Sequence, residues 1–284
     1  MTTPEPNGCR PFRLSLSTRT TGGVSPLAAL DLAAELGYDG VEVWAEDAWN
    51  AEVDPTTLRA RAVGLGLSLT VHAAASDLNP ISNNAGIGRE STRQIVESLE
   101  LARAIGAAVV TVHPGRATGM RFDPERLWPR QIDLFGRIAE HSTALGLHVG
   151  VEAMERATRH FVASPASVKR LLDAVGSPSL GYTLDVAHAH TIGHDPAEYV
   201  QMLGLPLLVH FSDASPRRTH HPIGDGETDL VRALEVLFDH GYRGAVVSEG
   251  SLPGRDREIL DQNLRRFDVL CQRTLTERTP PCAS

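Results

Sequence analysis

Eight times along these 284 residues a short run of β-branched and other apolar side chains gives way to a longer amphipathic stretch, and few folds satisfy that rhythm. The runs fall at 12–17, 40–44, 68–72, 108–113, 148–152, 181–185, 207–211 and 245–249. Helical spacing links them: Leu230, Leu234, Leu237 and Phe238 stand at i, i+4, i+7 and i+8, and Leu260, Leu264, Phe267 and Cys271 form a similar stripe. Strands alternating with helices predict an α/β fold with a parallel sheet. Eight units of this length predict a single closed (β/α)8 barrel, which usually needs about 250 residues. An open doubly wound sheet would alternate in the same way. A GxGxxG after the first strand and a Walker-type loop are both missing, so the nucleotide-binding forms of that sheet have no support.

The punctuation between units agrees. Leu36-Gly37, Leu65-Gly66, Ile105-Gly106, Leu145-Gly146 and His240-Gly241 each come shortly before a strand, where a left-handed glycine can end a helix. Pro26, Pro55, Pro124, Pro165 and Pro196 stand where helices should begin, since the first turn does not need their missing N–H. No linker interrupts the series. Residues 1–284 are therefore expected to be one domain, with the barrel over about 12–273 and loosely attached ends before about residue 10 and after about Thr274.

Composition narrows the classes of function. Hydrophobic residues make up 42% and charged residues 22%, enough to bury a large core. The net charge is −8 with no run of Lys or Arg, which argues against nucleic acid as a partner while leaving a local basic pocket open. Cys9, Cys271 and Cys282 lack CxxC spacing, and their odd number suits a reducing compartment. No apolar stretch approaches the roughly 20 residues of a membrane span. The opening MTTPEPNGCRPF lacks the pattern of a signal peptide, so a cytoplasmic protein is expected.

The chemistry collects at the strand ends. Six runs terminate in a residue type that ligates metals: LTVH at His72, VVTVH at His113, VGVE at Glu152, YTLD at Asp185, LLVH at His210 and VVSE at Glu249. One such residue alone is best read as satisfying a loop N–H. In a barrel, however, all C-terminal strand ends meet on one face, where active sites lie. Burying so many carboxylates and imidazoles without partners is costly, and a divalent cation offsets that cost.

The chain resembles the xylose isomerase-like barrels, which include sugar and sugar-phosphate isomerases and epimerases and the endonuclease IV-type phosphodiesterases. The resemblance covers roughly residues 12–266. It rests on VHAAASDLNP (71–80), HPG (113–115), the strand-end Glu152, LDVAHAH (184–190), HFSD (210–213), HHPIGDG (220–226) and SEG (248–250), in that order. It implies a shared metal site of Glu152, Asp185, His210 and Glu249. His72 and His113, with Glu152 bridging, resemble a second position. His188 and His220 resemble two ligands of a third, whose usual aspartate two residues before the histidine is here Arg218. Arginine repels a cation, so a third ion is not expected there. Arg217 and Arg218 suit instead an anionic group of a substrate.

The resemblance implies one divalent ion (Mn, Co, Mg, Fe or Zn), or two, a small-molecule substrate, and room for a dimer or tetramer. An isomerase or epimerase of a sugar-like or sugar-phosphate substrate would stabilise an enediolate through the cation. Glu152 and Glu249 would exchange protons with the substrate, His188 and His220 would hold hydroxyls, and Trp44 would form a wall. The same apparatus could eliminate water, as a lyase. The alternative is a di-metal hydrolase of a small-molecule phosphoester, with His72 and His113 holding the second ion. A non-catalytic sugar- or metal-binding barrel is the third reading. Glu42, Met154, Glu155 and Arg156 lie close enough to strand ends to line the pocket, with directions the sequence leaves open. His190, His194 and His221 read as ordinary loop or helix residues.

Overall fold

Valine-rich runs that can bury both faces become parallel strands with little change of boundary in the computed structural model, which describes residues 10–119, 122–155 and 159–276. The strands are β1 Arg13–Ser17, β2 Gly40–Trp44, β3 Ser68–His72, β4 Val109–Val112, β5 His148–Glu152, β6 Leu180–Asp185, β7 Leu208–Phe211, the short β8 Asp213–Ser215 and β9 Arg218–His221, and β10 Ala245–Ser248. All but β8 and β9 close into one barrel in the order β1-β10-β7-β6-β5-β4-β3-β2. Closure is sealed by β1 pairing with β10 from Arg13↔Ala245 to Leu16↔Ser248. Tyr38, buried between β1 and β2, donates its hydroxyl to the Leu260 carbonyl 2.8 Å away and ties that seam to the last helix.

The helices are α1 Pro26–Leu36, α2 Ala45–Asn50, α3 Pro55–Leu65, α4 Ala85–Ile105, α5 Trp128–Leu145, α6 Pro165–Val175, α7 Val186–Ile192, α8 Pro196–Leu203, α9 Leu230–Asp239 and α10 Asp256–Thr276. Pro26, Pro55, Pro165 and Pro196 open α1, α3, α6 and α8 as anticipated, each behind a Ser or Asp N-cap. Pro124 differs: it opens a single 3-10 turn, and α5 begins four residues later at Trp128. Gly37, Gly66, Gly106, Gly146 and Gly241 all have φ between 68° and 93°. The stripes on α9 and α10 face the barrel, burying Leu230, Leu234, Leu237, Leu260, Leu264, Phe267 and Cys271. The Cys271 thiol is pushed up to about 12 by burial, which makes it unreactive.

Three features depart from the sequence reading. The β8–β9 hairpin is too short to show a period. Helices α2 and α7, additional to the eight strand–helix units, start directly at the ends of β2 and β6. Thr274 is buried within α10, which continues to Thr276. Cys9, Cys282 and Arg156 lie outside the described residues. Among those described, no helix is long and apolar enough to cross a membrane.

Inside the barrel every second residue points to the axis. Thr111 and Thr183 meet there with their hydroxyls 3.0 Å apart. Gly150 stands between them in the sheet, where a Cβ would come within 2.3 Å of the Thr183 hydroxyl, so this layer closes only with glycine. One step further along the strands, the inward positions change from small and neutral to ionisable.

Candidate metal centre

That next layer contains His72 on β3, Glu152 on β5, Asp185 on β6 and His210 on β7, with His113 and Glu249 one residue beyond β4 and β10. Glu249 is still held as if in the sheet, its N–H donating to the Phe211 carbonyl at 3.2 Å. Six strand ends expected to meet do meet. Glu152, Asp185, His210 and Glu249, none more than 8% exposed, place one ligand atom each within 4.8 Å of one another. The Nδ1 of His210 is 3.2 Å from Glu152 Oε1, 3.2 Å from Glu249 Oε2 and 3.9 Å from Asp185 Oδ2.

Asp185 does two jobs at once. Its Oδ1 accepts the His188 N–H at 2.7 Å and caps α7, the bland role open to any strand-end aspartate. Its Oδ2 is buried, has no hydrogen-bond partner and faces the cluster. An orphaned buried carboxylate oxygen is costly, and a cation among three carboxylates and one imidazole would satisfy it. The donor set therefore fits a divalent ion, which Glu152, Asp185, His210 and Glu249 would hold.

Beside this set, His72, His113 and Glu152 form a second group of potential ligands within the same 4.8 Å. His113 Nε2 stands 2.7 Å and His72 Nε2 3.5 Å from Glu152 Oε2. The Nδ1–H of His72 donates to the Ala73 carbonyl at 2.8 Å, which turns its Nε2 toward Glu152. Trp44 lies flat on His72, ring centroids 3.7 Å apart, and Arg19 covers Trp44 at 4.1 Å.

Electrostatics separate the two glutamates. Burial alone would raise Glu152, but the imidazoles of His113 and His210 hold it well below the usual carboxylate range. Burial pushes Glu249 well above that range despite His210, and Glu42, Glu152 and Asp185 add to the rise. Burial opposes a charge on His210, yet Glu249, Glu42 and Glu152 hold its proton well above the ordinary imidazole value. Burial lowers both His72 and His220.

The cluster opens into a cavity of about 300 Å³. Trp44, His188 and His220, expected to touch substrate, all line it, as do Met154 and Glu155. Arg217 and Arg218 do not: they sit exposed at the hairpin and line a neighbouring depression with Glu155 and Thr219. Arg218 Nη2 donates to the Ser251 carbonyl at 3.2 Å. Of the remaining histidines, His194 pairs with Glu198 on α8 and His221 with the Ser215 hydroxyl, both away from the ligands.

Two residues carry more than sequence reasoning granted them. Glu42 does not line the cavity; it is fully buried behind the cluster, with Oε1 3.3 Å from His210 Nε2 and Oε2 unpartnered. Arg19, which drew no notice, lines the cavity over Trp44. Its one sequence signal was its place just past the end of β1.

The fold has known counterparts. Residues 30–268 match the family described as xylose isomerase-like TIM barrel. A protein of Methanocaldococcus jannaschii is 31% identical over 196 residues, covering 64% of this chain and 64% of that protein, so the match spans less than two thirds of that relative. A fructoselysine 3-epimerase of Escherichia coli O157:H7 is 23% identical over 250 residues, covering 84% of this chain and 90% of that one. The crystal structure of a D-tagatose 3-epimerase-like protein superposes with a TM-score of 0.80 at 24% identity, over 93% of this chain and 99% of the other. At that identity the likeness speaks for the fold.

Proposed function

Because the chain belongs to the xylose isomerase-like TIM barrel family, we propose that it is a divalent-metal-dependent isomerase or epimerase of a sugar-like small molecule. One observation carries the reading. Glu152 and Glu249 flank the same imidazole nitrogen at 3.2 Å and border one cavity. Two carboxyls from strands on different sides of one cavity mouth are what acid–base chemistry on one carbon requires. A bound divalent cation supplies Lewis-acid polarisation of a carbonyl oxygen.

One of Glu152 and Glu249 takes a proton from the carbon beside the carbonyl, and the other returns one. His188 and His220 hold substrate hydroxyls, and Trp44, its faces covered by His72 and Arg19, walls the cavity with its edge. A phosphate or carboxylate on the substrate would have to extend past Thr219, which borders both hollows, to reach Arg217 and Arg218. The similarity to a fructoselysine 3-epimerase supports proton transfer next to a carbonyl.

The test is deuterium uptake. With Mn, Co or Mg present, incubation with ketoses in D2O should label the carbon next to the carbonyl, and Glu152→Gln or Glu249→Gln should abolish the label while the circular dichroism stays unchanged. Full labelling by either variant would remove the proposed proton-transfer roles. A second reading, hydrolysis of a small-molecule phosphoester, is favoured by the His72–His113–Glu152 group, which shares Glu152 with the first set. Two ions per chain, phosphoester cleavage and no deuterium uptake would select it.

A further inference from the structure

Two hollows meet at the mouth of the barrel, and one side chain stands between them. The first is the cavity of about 300 Å³ over the ligand cluster. The second is a depression of about 540 Å³ bordered by Glu46, Trp49, Asn50, Ser76 and Gln94 among others. Arg19 is the one residue that lines both, and the one lysine or arginine among the described residues on the wall of the first.

We infer that Arg19 is a specificity-determining residue whose guanidinium, laid on Trp44, closes the cavity on that side and limits the substrate to one sugar unit. The depression behind it takes a second unit once Arg19 is removed. That the ligand is a sugar rests on the function proposed above; that Arg19 forms the wall does not.

The guanidinium has little freedom. It lies over the Trp44 ring at 4.1 Å. Its Nη2 donates to Glu46 Oε2 and, at 3.1 Å, to the Ser76 hydroxyl, and its Nη1 donates to Asp47 Oδ1 at 3.3 Å. These partners are fixed in turn. Glu46 Oε1 accepts the N–H groups of Ala75 at 3.1 Å and Ser76 at 2.7 Å, and Asp47 Oδ2 accepts the Thr18 hydroxyl at 2.7 Å. A single exposed ion pair would not hold so long a side chain, but one conformation meets two carboxylates, a hydroxyl and an aromatic face together. Trp44 cannot yield either. Its other face lies on His72 with ring centroids 3.7 Å apart, and its Nε1 donates to the Ser17 hydroxyl at 3.1 Å. The wall is thus a stack of three flat groups, and its outermost member, 42% exposed, can be shortened without disturbing the strands.

The two hollows differ in what they offer. The first lies at the small end of the roughly 300–1,000 Å³ usual for ligand sites, so it holds the reacting unit and little more. The depression sets the Trp49 indole beside the amides of Asn50 and Gln94 and the Ser76 hydroxyl, a mixture of aromatic surface and hydrogen-bonding groups that suits a hydroxyl-rich ring. Its two arginines face two glutamates, which favours a neutral occupant, and none of its lining residues belongs to the groups of potential metal ligands. It can bind a second unit but has nothing to react with it.

Calorimetric binding of two ketoses with Mn2+ present tests the wall: D-fructose, and the same ketose carrying a glucosyl unit on its 6-hydroxyl. The wild type should bind the disaccharide at least about tenfold more weakly than fructose, and in Arg19→Ala and Arg19→Gln that ratio should shrink at least about tenfold. A ratio unchanged in both variants, or a wild type that binds the two sugars equally, overturns the inference. A readout without sugar separates this outcome from a failure of the proposed function. A crystal structure of Arg19→Ala should show one continuous hollow from Glu152 to Trp49. Closure of the gap by Trp44 or Glu46 would overturn the wall, whereas a continuous hollow in a protein that binds neither ketose would uphold the wall and remove the sugar reading.

Discussion

Replacing Glu42 by glutamine should weaken the proposed metal centre although Glu42 touches neither the cavity nor the side of His210 that faces Glu152, Asp185 and Glu249. Glu42 is fully buried and accepts at 3.3 Å from His210 Nε2, while His210 Nδ1 looks toward Glu152, Asp185 and Glu249. A carboxylate behind a ligating imidazole fixes which nitrogen carries the hydrogen and makes the other a better ligand. Losing such a partner typically costs 10–100-fold in metal affinity, about 1.4–2.7 kcal/mol. Glutamine keeps the size and an accepting oxygen, so the charge is the main thing removed.

The same change should act in the opposite direction on the metal-free protein. Glu42 is one of the negative groups that raise the Glu249 carboxyl, so its neutralisation relieves crowding among buried carboxylates. Glu42→Gln is therefore expected to bind Co2+ or Mn2+ about 10–100-fold more weakly in competition with a chromophoric chelator. Its chelated form should melt no lower than the chelated wild type. An affinity within about threefold of the wild type would refute the argument that this carboxylate tunes His210. A chelated form that melts several degrees lower would show instead that Glu42 acts through packing.

Asp213, buried at the start of the hairpin, accepts the N–H groups of Ala214 and Thr228 on one oxygen and of Gly224 and Gly226 on the other, at 2.9–3.1 Å. Asp213→Ala should cost about 3 kcal/mol or more in urea unfolding; a change under about 0.5 kcal/mol would show that the loop carrying His220 is anchored otherwise. Gly226 leaves no room for a Cβ, which would come within 2.4 Å of the Ala214 carbonyl and of Asp213 Oδ1, so Gly226→Ala should destabilise by about 1–3 kcal/mol, and wild-type stability would contradict that crowding. Burial, helped by His113 and Arg116 and opposed by Glu155, holds His160 down to about 4, against about 6.5 in an unfolded chain. Between those values the unfolded chain binds the extra proton, so stability should fall by about 2 kcal/mol as pH drops from about 6.5 to about 4. His160→Gln should flatten that part of the curve, and an unchanged slope would remove His160 as its source.

Much of this architecture was legible because the signals are local. Whether a run such as 109–112 can bury both faces depends on its own side chains, and whether Leu145-Gly146 ends a helix depends on one backbone angle, φ 68°. The six ligand-type strand ends were legible for a related reason. Once eight parallel strands close, every C-terminal end points to one mouth, so Glu152 and Glu249 come together although 96 residues separate them in the chain.

Contacts that depend on barrel tilt, or on the path of a loop, carry no local signature. Glu42 and Trp44 look alike in sequence as inward residues of β2, yet one lies buried behind His210 and the other walls the cavity. The pair Arg217 and Arg218 could line the main cavity or its surroundings until the β8–β9 hairpin placed both in a neighbouring depression. Arg19 could not be matched to Glu46 and Ser76, 27 and 57 residues further along the chain. The sequence by itself determined the barrel and the chemical types gathered at its mouth, because strand and helix periods and strand direction are properties of short segments. Only the tertiary structure decided which carboxylate faces which imidazole, because that follows from the stagger of closed strands and the course of the loops above them.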